Sequence, residues 1–300
     1  MKSSNHRHAA LFVLCALPLA AAVAGAAQVD RKVAADAKGE VVISNVAGTI
    51  EVRGWDRNEV QVTGQIDDGV ERVDVDSTGN GLHTVVKVVL PRGVSNNGEA
   101  NITVQVPRNS SLDVTAVSAD VSSKGVAGAQ RLKTVSGELS ADIGGMDSEV
   151  RSVSGDITVR GTGGSAQLRA SSVSGNIDLS NVSGKLDIVT VSGDARAHLG
   201  EVSEVRGRTT SGDLEVHARL TSNGRVDVEG VSGEITLNLA APNGLSADVE
   251  SFSGDIGGCL AKSVERTSKY GPGMRLNLRS ANGAYVRAKT LSGDVTICDR

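Results

Sequence analysis

A three-residue unit, Ser-Gly followed by an acid or an amide, returns at nearly constant spacing from the middle of this chain to its end. Aligned on the serine, it falls at Ser118 (where Ala119 stands for the glycine), Ser136, Ser154, Ser174, Ser192, Ser211, Ser232, Ser253 and Ser292, with successive gaps of 18, 18, 20, 18, 19, 21, 21 and 39 residues. No other feature constrains the fold as much. A unit of about 20 residues cannot bury its own apolar face, so neighbouring copies must stack to make a core. The gap of 39 reads as two periods, with GPGMRLNL (271–278) as a degenerate copy in the missing slot.

Each period carries strand-like alternation. The residue before the serine is apolar or nearly so (Val135, Val153, Val173, Val191, Thr210, Val231, Phe252, Leu291), and it is expected to point into the stack. Three residues after the serine come Leu139, Ile157, Ile177, Ala195, Leu214, Ile235, Ile256 and Val295. Two further on come Ala141, Val159, Leu179, Ala197, Val216, Leu237, Gly258 and Ile297. Alternation of this kind sends one set inward and the next outward. A second strand fills the other half of each period, as in AQLRASS, KLDIVT, EVRGRT, RVDVEG, LSADVES and YVRAKT, and glycine-containing corners divide the halves. The expected architecture is all-β: a parallel β-helix, or β-solenoid, of nine or ten coils of about 20 residues. Right-handed winding is expected by analogy with parallel crossovers.

Composition agrees. Val, Thr, Ser and Gly dominate, and helix signals are almost absent. After an N-terminal export segment the only aromatic residues are Trp55, Phe252, Tyr270 and Tyr285, so the core must be built from many layers of small aliphatic side chains. Residues 39–117 are β but less regular. NVAGTIEVRG already resembles a coil with alanine in place of the serine, and PRGVSNNGEA reads as an exposed hairpin loop. The expected organisation is a cleaved signal peptide over 1–27, an N-terminal β region over 28–117 that starts and caps the solenoid, and solenoid repeats over 118–300. A separate sandwich domain is the alternative for the N-terminal region.

The signal reading rests on Lys2 and Arg7 ahead of the apolar run AALFVLCALPLAAAVAGA and on the small residues after it. Pro18 breaks that run, and it is short for a membrane span. An exported protein of the bacterial periplasm or cell envelope is expected, with no membrane span after cleavage. Removing Lys2 and Arg7 leaves 29 basic residues against 35 acidic ones, interspersed and without a long basic block, which argues against a nucleic-acid partner.

The repeated unit itself is the first candidate site. After its glycines come Glu138, Asp156, Asn176, Asp194, Asp213, Glu234, Asp255 and Asp294, which parallel coils would align in a column. A column of carboxylates suits calcium. The structural alternative is that Ser and Asp bond nearby backbone amides at a corner while Gly adopts a conformation closed to other residues. The structural reading is preferred. It makes corner residues of Ser136 and Gly137, of Ser154, Gly155 and Asp156, of Ser174 and Gly175, and of Ser192, Gly193 and Asp194. The same holds for Ser211, Gly212 and Asp213, for Ser232 and Gly233, for Ser253, Gly254 and Asp255, and for Ser292, Gly293 and Asp294.

No catalytic, cofactor or metal residues are expected. No serine lies in G-x-S-x-G, and GTGGS (161–165) lacks the lysine of a phosphate loop. His198 and His217 occupy the same position in successive repeats and should be stacked, outward-facing neighbours with no evident third ligand. Cys259 and Cys298 also share a repeat position and are a candidate disulfide. With a coil between them their Cα atoms would be about 9.6 Å apart, beyond the roughly 7 Å limit. If AKSVERTSKYG (261–271) loops out instead, their coils become direct neighbours and the bond can form.

GTIEVRGWDRNEVQV, VPRNSSLDV, the repeated VSGD and the closing GAYVRAKTLSGDVTI together resemble the bacterial putative-adhesin family of β-strand-repeat (VSGD-repeat) domains of unknown function, over roughly residues 39–298. The resemblance implies a β-helical, exported envelope protein with no established catalytic activity. The expected function is therefore a non-enzymatic adhesin or scaffold that presents repetitive outer faces to an envelope or extracellular protein or glycan. A carbohydrate-active β-helix enzyme, lyase or hydrolase, is the alternative, weakened by the scarcity of aromatic residues on which sugars stack. A cation-dependent structural protein is a third reading. Self-association through the end of the solenoid is also expected, because the last strand, DVTI (294–297), would be an open edge.

Overall fold

The structure is a computed structural model that describes residues 27–91, 98–267 and 272–299. The expected signal segment, apart from Ala27, and most of the expected loop 91–100 lie outside the described residues. The fold is all-β, and a single 3₁₀ turn at Ala261–Ser263 is the only helical element among the described residues. The strands lie in two long layers, a front sheet and a back sheet, and the chain passes from front to back at every Ser-Gly unit.

Register shows how the repeat is spent. On the back sheet Ile157 pairs in parallel with Leu139, eighteen residues earlier, and with Ile177, twenty later; Ile177 then pairs with Ala195, Ala195 with Leu214, and Leu214 with Ile235. These side chains are fully buried, as are Leu132, Leu168, Ile188, Val205 and Val226 on the front strands. The core is a column of aliphatic rungs between two sheets, continuous from Val29 to Ile297. The variation in repeat length is absorbed at the corners and in bulges, such as the register shift between His198 and Glu201.

The N-terminal region joins the same stack. Glu40–Trp55 supplies a complete first coil, its Glu40–Asn45 half pairing in parallel with Ser111–Ala116 on the front and its Ala47–Arg53 half with Ser118–Lys124 on the back. His83–Lys87 and Ala100–Pro107 still pair in parallel with this coil, and beyond them the sheets become antiparallel. On the front, His83–Val89 pairs with Arg72–Thr78; on the back, Ala100–Pro107 pairs with Glu59–Ile66, which pairs with Ala27–Ala34. Only the front pair is a hairpin, closed by a tight turn at 79–82; the back pairs bring together strands separated by other elements of the chain.

The C-terminal end departs from sequence order. Ala284–Ser292 and Val295–Cys298, the last coil of the chain, do not lie at the end of the stack. The front strand pairs with Leu214–Ser232 on one side and with Leu245–Ser253 on the other. The back strand pairs with Ile235–Ala240 and with Ile256–Gly257. The last coil is thus inserted between two earlier ones. Two expectations are corrected. Met274–Leu278 is not a degenerate coil; it runs antiparallel to Leu245–Ser253 and to Val264–Arg266, forming a cap. The strand containing DVTI is not an open edge, since it has a neighbour on each side.

Candidate interaction surface

Every Ser-Gly unit lies at the front-to-back corner, and four sets of contacts build that corner. The backbone N–H of Ser136, Ser154, Ser174, Ser192 and Ser211 donates to the carbonyl of the residue preceding the serine one coil earlier, at 2.8–2.9 Å. The glycines stack directly on one another. A Cβ added at Gly155 would lie 1.9 Å from the carbonyl oxygen of Gly137, one at Gly175 would lie 2.1 Å from that of Gly155, and one at Gly293 would lie 2.1 Å from that of Gly233. Conformational freedom explains only Gly212 and Gly233, whose φ values are 137° and 117°; elsewhere glycine is required because backbone meets backbone.

The acids after the glycines are spent on the next coil. Asp120 Oδ1 accepts the N–H of Glu138 at 2.9 Å, Asp156 that of Asn176 at 2.8 Å, Asp194 that of Asp213 at 3.1 Å and Asp213 that of Glu234 at 2.8 Å. Asn176 does the same for Asp194, and Asp294 for Asp255. A neutral amide in the series shows that the bond needs an oxygen acceptor of that length, not a charge. Among the described residues no group of three His, Cys, Asp or Glu side chains is arranged to hold a metal ion.

One part of the corner was not recognised in the sequence. Two residues before each unit serine lies a buried hydroxyl: Thr134, Ser152, Ser172, Thr190, Thr209, Ser251 and Thr290. The N–H groups of Gly137, Gly155, Gly175 and Gly193 donate to the first four at 2.8–3.1 Å. The unit is therefore [Ser/Thr]-x-Ser-Gly, with the first hydroxyl inside and the second at the rim. Its signal was present as TVSG, SVSG, TTSG, SFSG and TLSG. The row breaks at Ala116, before the first unit, and at Gly230, beside which Thr290 Oγ1 is buried without a hydrogen-bond partner.

The residue between the two hydroxyls was expected to point inward, and that expectation is corrected. Val117, Val135, Val153, Val173, Val191, Val231, Leu291 and Phe252 are 39–57% exposed. At this corner the buried position is taken by the preceding hydroxyl, so alternation turns the apolar side chain outward. Stacking order makes one ladder, Val117 to Val191, then Thr210, Val231, Leu291 and Phe252. Part of it borders a groove of about 560 Å³ lined by Val191, Thr210, Val231 and Leu291 together with Arg208, Glu229 and Lys289.

The front face is a zipper of charge. By register, Asp113, Arg131, Glu149, Arg169, Asp187, Arg206, Asp227, Arg287 and Asp248 follow one another across nine strands with strictly alternating sign. Arg131 reaches Asp113 at 3.2 Å and Glu149 at 3.3 Å, and Arg169 reaches Asp187 at 3.1 Å. Hydrogen bonds to Asp113 and Glu149 raise the Arg131 pKa above its ordinary value. Partial burial pulls the Glu149 carboxyl upward, but Arg151 and Arg131 together hold it below the usual glutamate value.

The back face is polar and has fewer ion pairs between strands: Arg160 holds Asp142 at 2.9 Å, while Arg196 and His217 pair with Asp194 and Glu215, two residues away along the chain. One outward row runs Ser140, Thr158, Asp178, Arg196, Glu215, Thr236 and Thr296; a second runs Asp142, Arg160, Ser180, His198, His217 and Asn238 and ends at Cys298, which is buried. The imidazoles of His198 and His217 are stacked neighbours, as expected, with centroids 4.7 Å apart; Glu215 Oε1 lies 2.6 Å from His217 Nε2. Cys259 and Cys298 lie on adjacent coils, because 261–267 and 274–278 leave the stack and the last coil returns beside Ile256–Gly257. Both are thiols in this structure, and the Cys259 N–H donates to Cys298 Sγ at 2.9 Å. A hydrogen bond with Cys298 and partial burial push the Cys259 thiol pKa up.

A family model described as Toastrack DUF4097 matches residues 33–298. No curated protein matches the chain. Among solved structures, it is similar to a putative adhesin from Bacteroides fragilis at 13% identity and a TM-score of 0.43, over 90% of this chain and 97% of that one. It is also similar to a putative lipid binding protein from Parabacteroides distasonis, at 14% identity and a TM-score of 0.41 over 90% and 97% of the two chains. A putative adhesin from the same organism gives 13% identity and a TM-score of 0.38 over 91% and 98%.

Proposed function

The chain belongs to the Toastrack DUF4097 family, and on that premise we propose that it is a non-catalytic, exported scaffold of the bacterial envelope, adhesin-like in use, wound as a right-handed parallel β-helix of coils near 20 residues. The observation that carries this reading is the contrast between the two outer faces. Front-face charges are consumed mostly in strand-to-strand pairs, whereas the back face, apart from the Arg160–Asp142 pair, displays hydroxyl, carboxylate, guanidinium and imidazole groups at one rung per coil. Such a lattice, with rungs about 4.8 Å apart, suits a repetitive partner, a glycan or an extended protein segment, through many weak contacts that add by multivalency. The repeated carboxylates and hydroxyls, which a catalytic reading would need, are engaged in backbone hydrogen bonds at the corner.

The test is binding of the purified protein to a glycan array and to isolated envelope proteins, with a polysaccharide depolymerisation assay alongside. Binding that falls severalfold in a Thr158→Ala, Asp178→Ala, Glu215→Ala variant of unchanged melting temperature supports the proposal. Polysaccharide turnover abolished by one back-face substitution would overturn it, as would binding that ignores the triple variant.

A further inference from the structure

The corner ladder offers a surface of a different kind from either face. It is straight, uncharged and continuous over nine rungs, about 38 Å at strand spacing. Eight of its nine side chains are Val, Leu or Phe, each 39–57% exposed. Together they leave on the order of 600 Å² of apolar surface in one strip, at the upper end of what a monomer usually exposes and near the ~800 Å² per partner of a standard protein interface. Apolar rungs repeating at one fixed rise mesh best with a second ladder of identical rise.

The charges flanking the ladder fix how two copies would meet. On its front side each rung carries the residue two before the ladder position; on its back side it carries the acid or amide three after it. The Val135 rung has Lys133 in front and Glu138 behind; the Val153 rung has Arg151 and Asp156; the Thr210 rung has Arg208 and Asp213; the Leu291 rung has Lys289 and Asp294. A two-fold axis parallel to the stack places the front side of one copy over the back side of the other at the same rung, so each of these cations faces an anion. A two-fold axis across the stack would set acid row against acid row. Three of the flanking cations also pair within their own chain, Arg151 with Glu149, Arg208 with Glu229 at 3.9 Å and Lys289 with Glu250 at 2.6 Å, so across the axis each would be shared between an acid of its own front face and one of the partner. The last two pairs offset Glu229 and Glu250 at the Val231 and Phe252 rungs, which carry acids on both sides.

We propose that the protein forms a parallel, two-fold symmetric homodimer through the apolar corner ladder of Val117 to Phe252. The interface is isologous, and it leaves both back faces open on one particle.

Sedimentation equilibrium of the purified protein tests this without any outside partner, so its outcome is separate from that of the binding assay. A dimer is expected at low-micromolar concentration. Val153→Asp with Val173→Asp should weaken association at least tenfold. Val153→Thr with Val173→Thr, which Thr210 shows to be compatible with the ladder position, should weaken it severalfold with unchanged circular dichroism. Arg151→Glu should weaken it, and adding Asp156→Arg should restore it, because the two positions exchange partners across the axis. A monomer at about 100 μM, or a dimer indifferent to the valine variants, would refute the proposal. A dimer that responds to the valines but shows no charge-swap rescue refutes the parallel arrangement.

Discussion

Arg287 lies directly opposite Asp227, sixty residues earlier in the chain, and its other neighbour is Asp248. Without the inserted strand Asp227 and Asp248 would be adjacent, and so would Glu229 and Glu250. With it, Arg287 and Lys289 separate both acidic pairs; Lys289 Nζ is 2.6 Å from Glu250, and Arg287 Nη1 is 3.8 Å from Asp227. Charge alternation in two neighbouring rows therefore favours the out-of-order stacking over the simple order. Opposite charges paired across strands stabilise and like charges directly opposed destabilise, each by roughly 0.2–1 kcal/mol.

Reversing the inserted charge should expose that preference. Arg287→Glu puts three acids in a row and is expected to cost about 1–2 kcal/mol, read as a lower denaturant midpoint at low salt. The loss should shrink at 1 M salt, where the Debye length is about 3 Å. Arg287→Gln should cost less than half as much. Equal losses for the two variants, or a loss indifferent to salt, would show that the charge does not select the order.

The corner glycines should divide sharply by contact. Gly155→Ala drives a methyl to 1.9 Å from the Gly137 carbonyl oxygen, so coils must separate and break the ladder on both sides. A loss of more than 3 kcal/mol is expected, in the range diagnostic of overpacking. Gly257→Ala is the control, since an added Cβ there has nothing within 4 Å, and it should shift stability by under about 0.5 kcal/mol. Thermal melts of both variants decide it. A well-folded Gly155→Ala protein would mean that the coils are not in backbone contact.

How much of this was legible follows from what periodicity encodes. The period, the buried column of Leu139, Ile157 and Ile177, the outward His198–His217 pair and the corner role of Ser-Gly-Asp could all be read from residues a fixed distance apart. The outward turn of Val135 and Val153 could not, because alternation gives two phases, and only the buried hydroxyls of Thr134 and Ser152 decide between them. The inserted last coil was equally hidden. A gap of 39 is compatible with two coils or with an excursion and return, and the distinction rests on long-range charge pairing between Asp227, Arg287 and Asp248.

Gly230 is a natural gap in the buried hydroxyl row, and filling it should stabilise the protein. A Cβ there would lie 3.2 Å from the flexible tip of Ile235 and 3.6 Å from Thr290 Oγ1. Gly230→Ser restricts the unfolded chain and gives Thr290 a partner, so a gain of about 0.5–1.5 kcal/mol is expected. Gly230→Ala supplies only the first term and should gain less. The comparison of denaturant midpoints is the check, and an alanine variant as stable as the serine variant would remove the hydrogen-bond argument.

The acidic column should behave as construction and not as a cation site. Asp213→Asn keeps the acceptor, as Asn176 does naturally, and should leave the melting temperature within about 1 °C of the parent, consistent with a ΔΔG under about 0.5 kcal/mol. Asp213→Ala strands the Glu234 amide at a solvent-exposed corner and should cost about 1 kcal/mol. EDTA should leave all three proteins unchanged. A fall of many degrees in EDTA that calcium reverses would reinstate the column as a metal site.

Cys259 and Cys298 should become a disulfide under oxidising conditions. Adjacent coils put their Cα atoms about 4.8 Å apart, inside the 4.4–6.8 Å window that a disulfide requires. Incubated with oxidised glutathione, the two thiols lose two protons and two electrons to form one S–S bond, and the glutathione disulfide is reduced to two thiols. The bond joins the inserted last coil to the coil outside it and closes a loop of 38 intervening residues. Chain-entropy reasoning puts the gain at about 2–4 kcal/mol, or about 5–10 °C in melting temperature for a chain this long. Mass spectrometry should show a loss of about 2 Da, with Cys259→Ser abolishing both the mass change and the gain in stability. Two thiols persisting after exposure to oxidised glutathione at pH 8 would place the cysteines outside bonding geometry, and the C-terminal coil would then be held by its strand pairings and charge ladder alone.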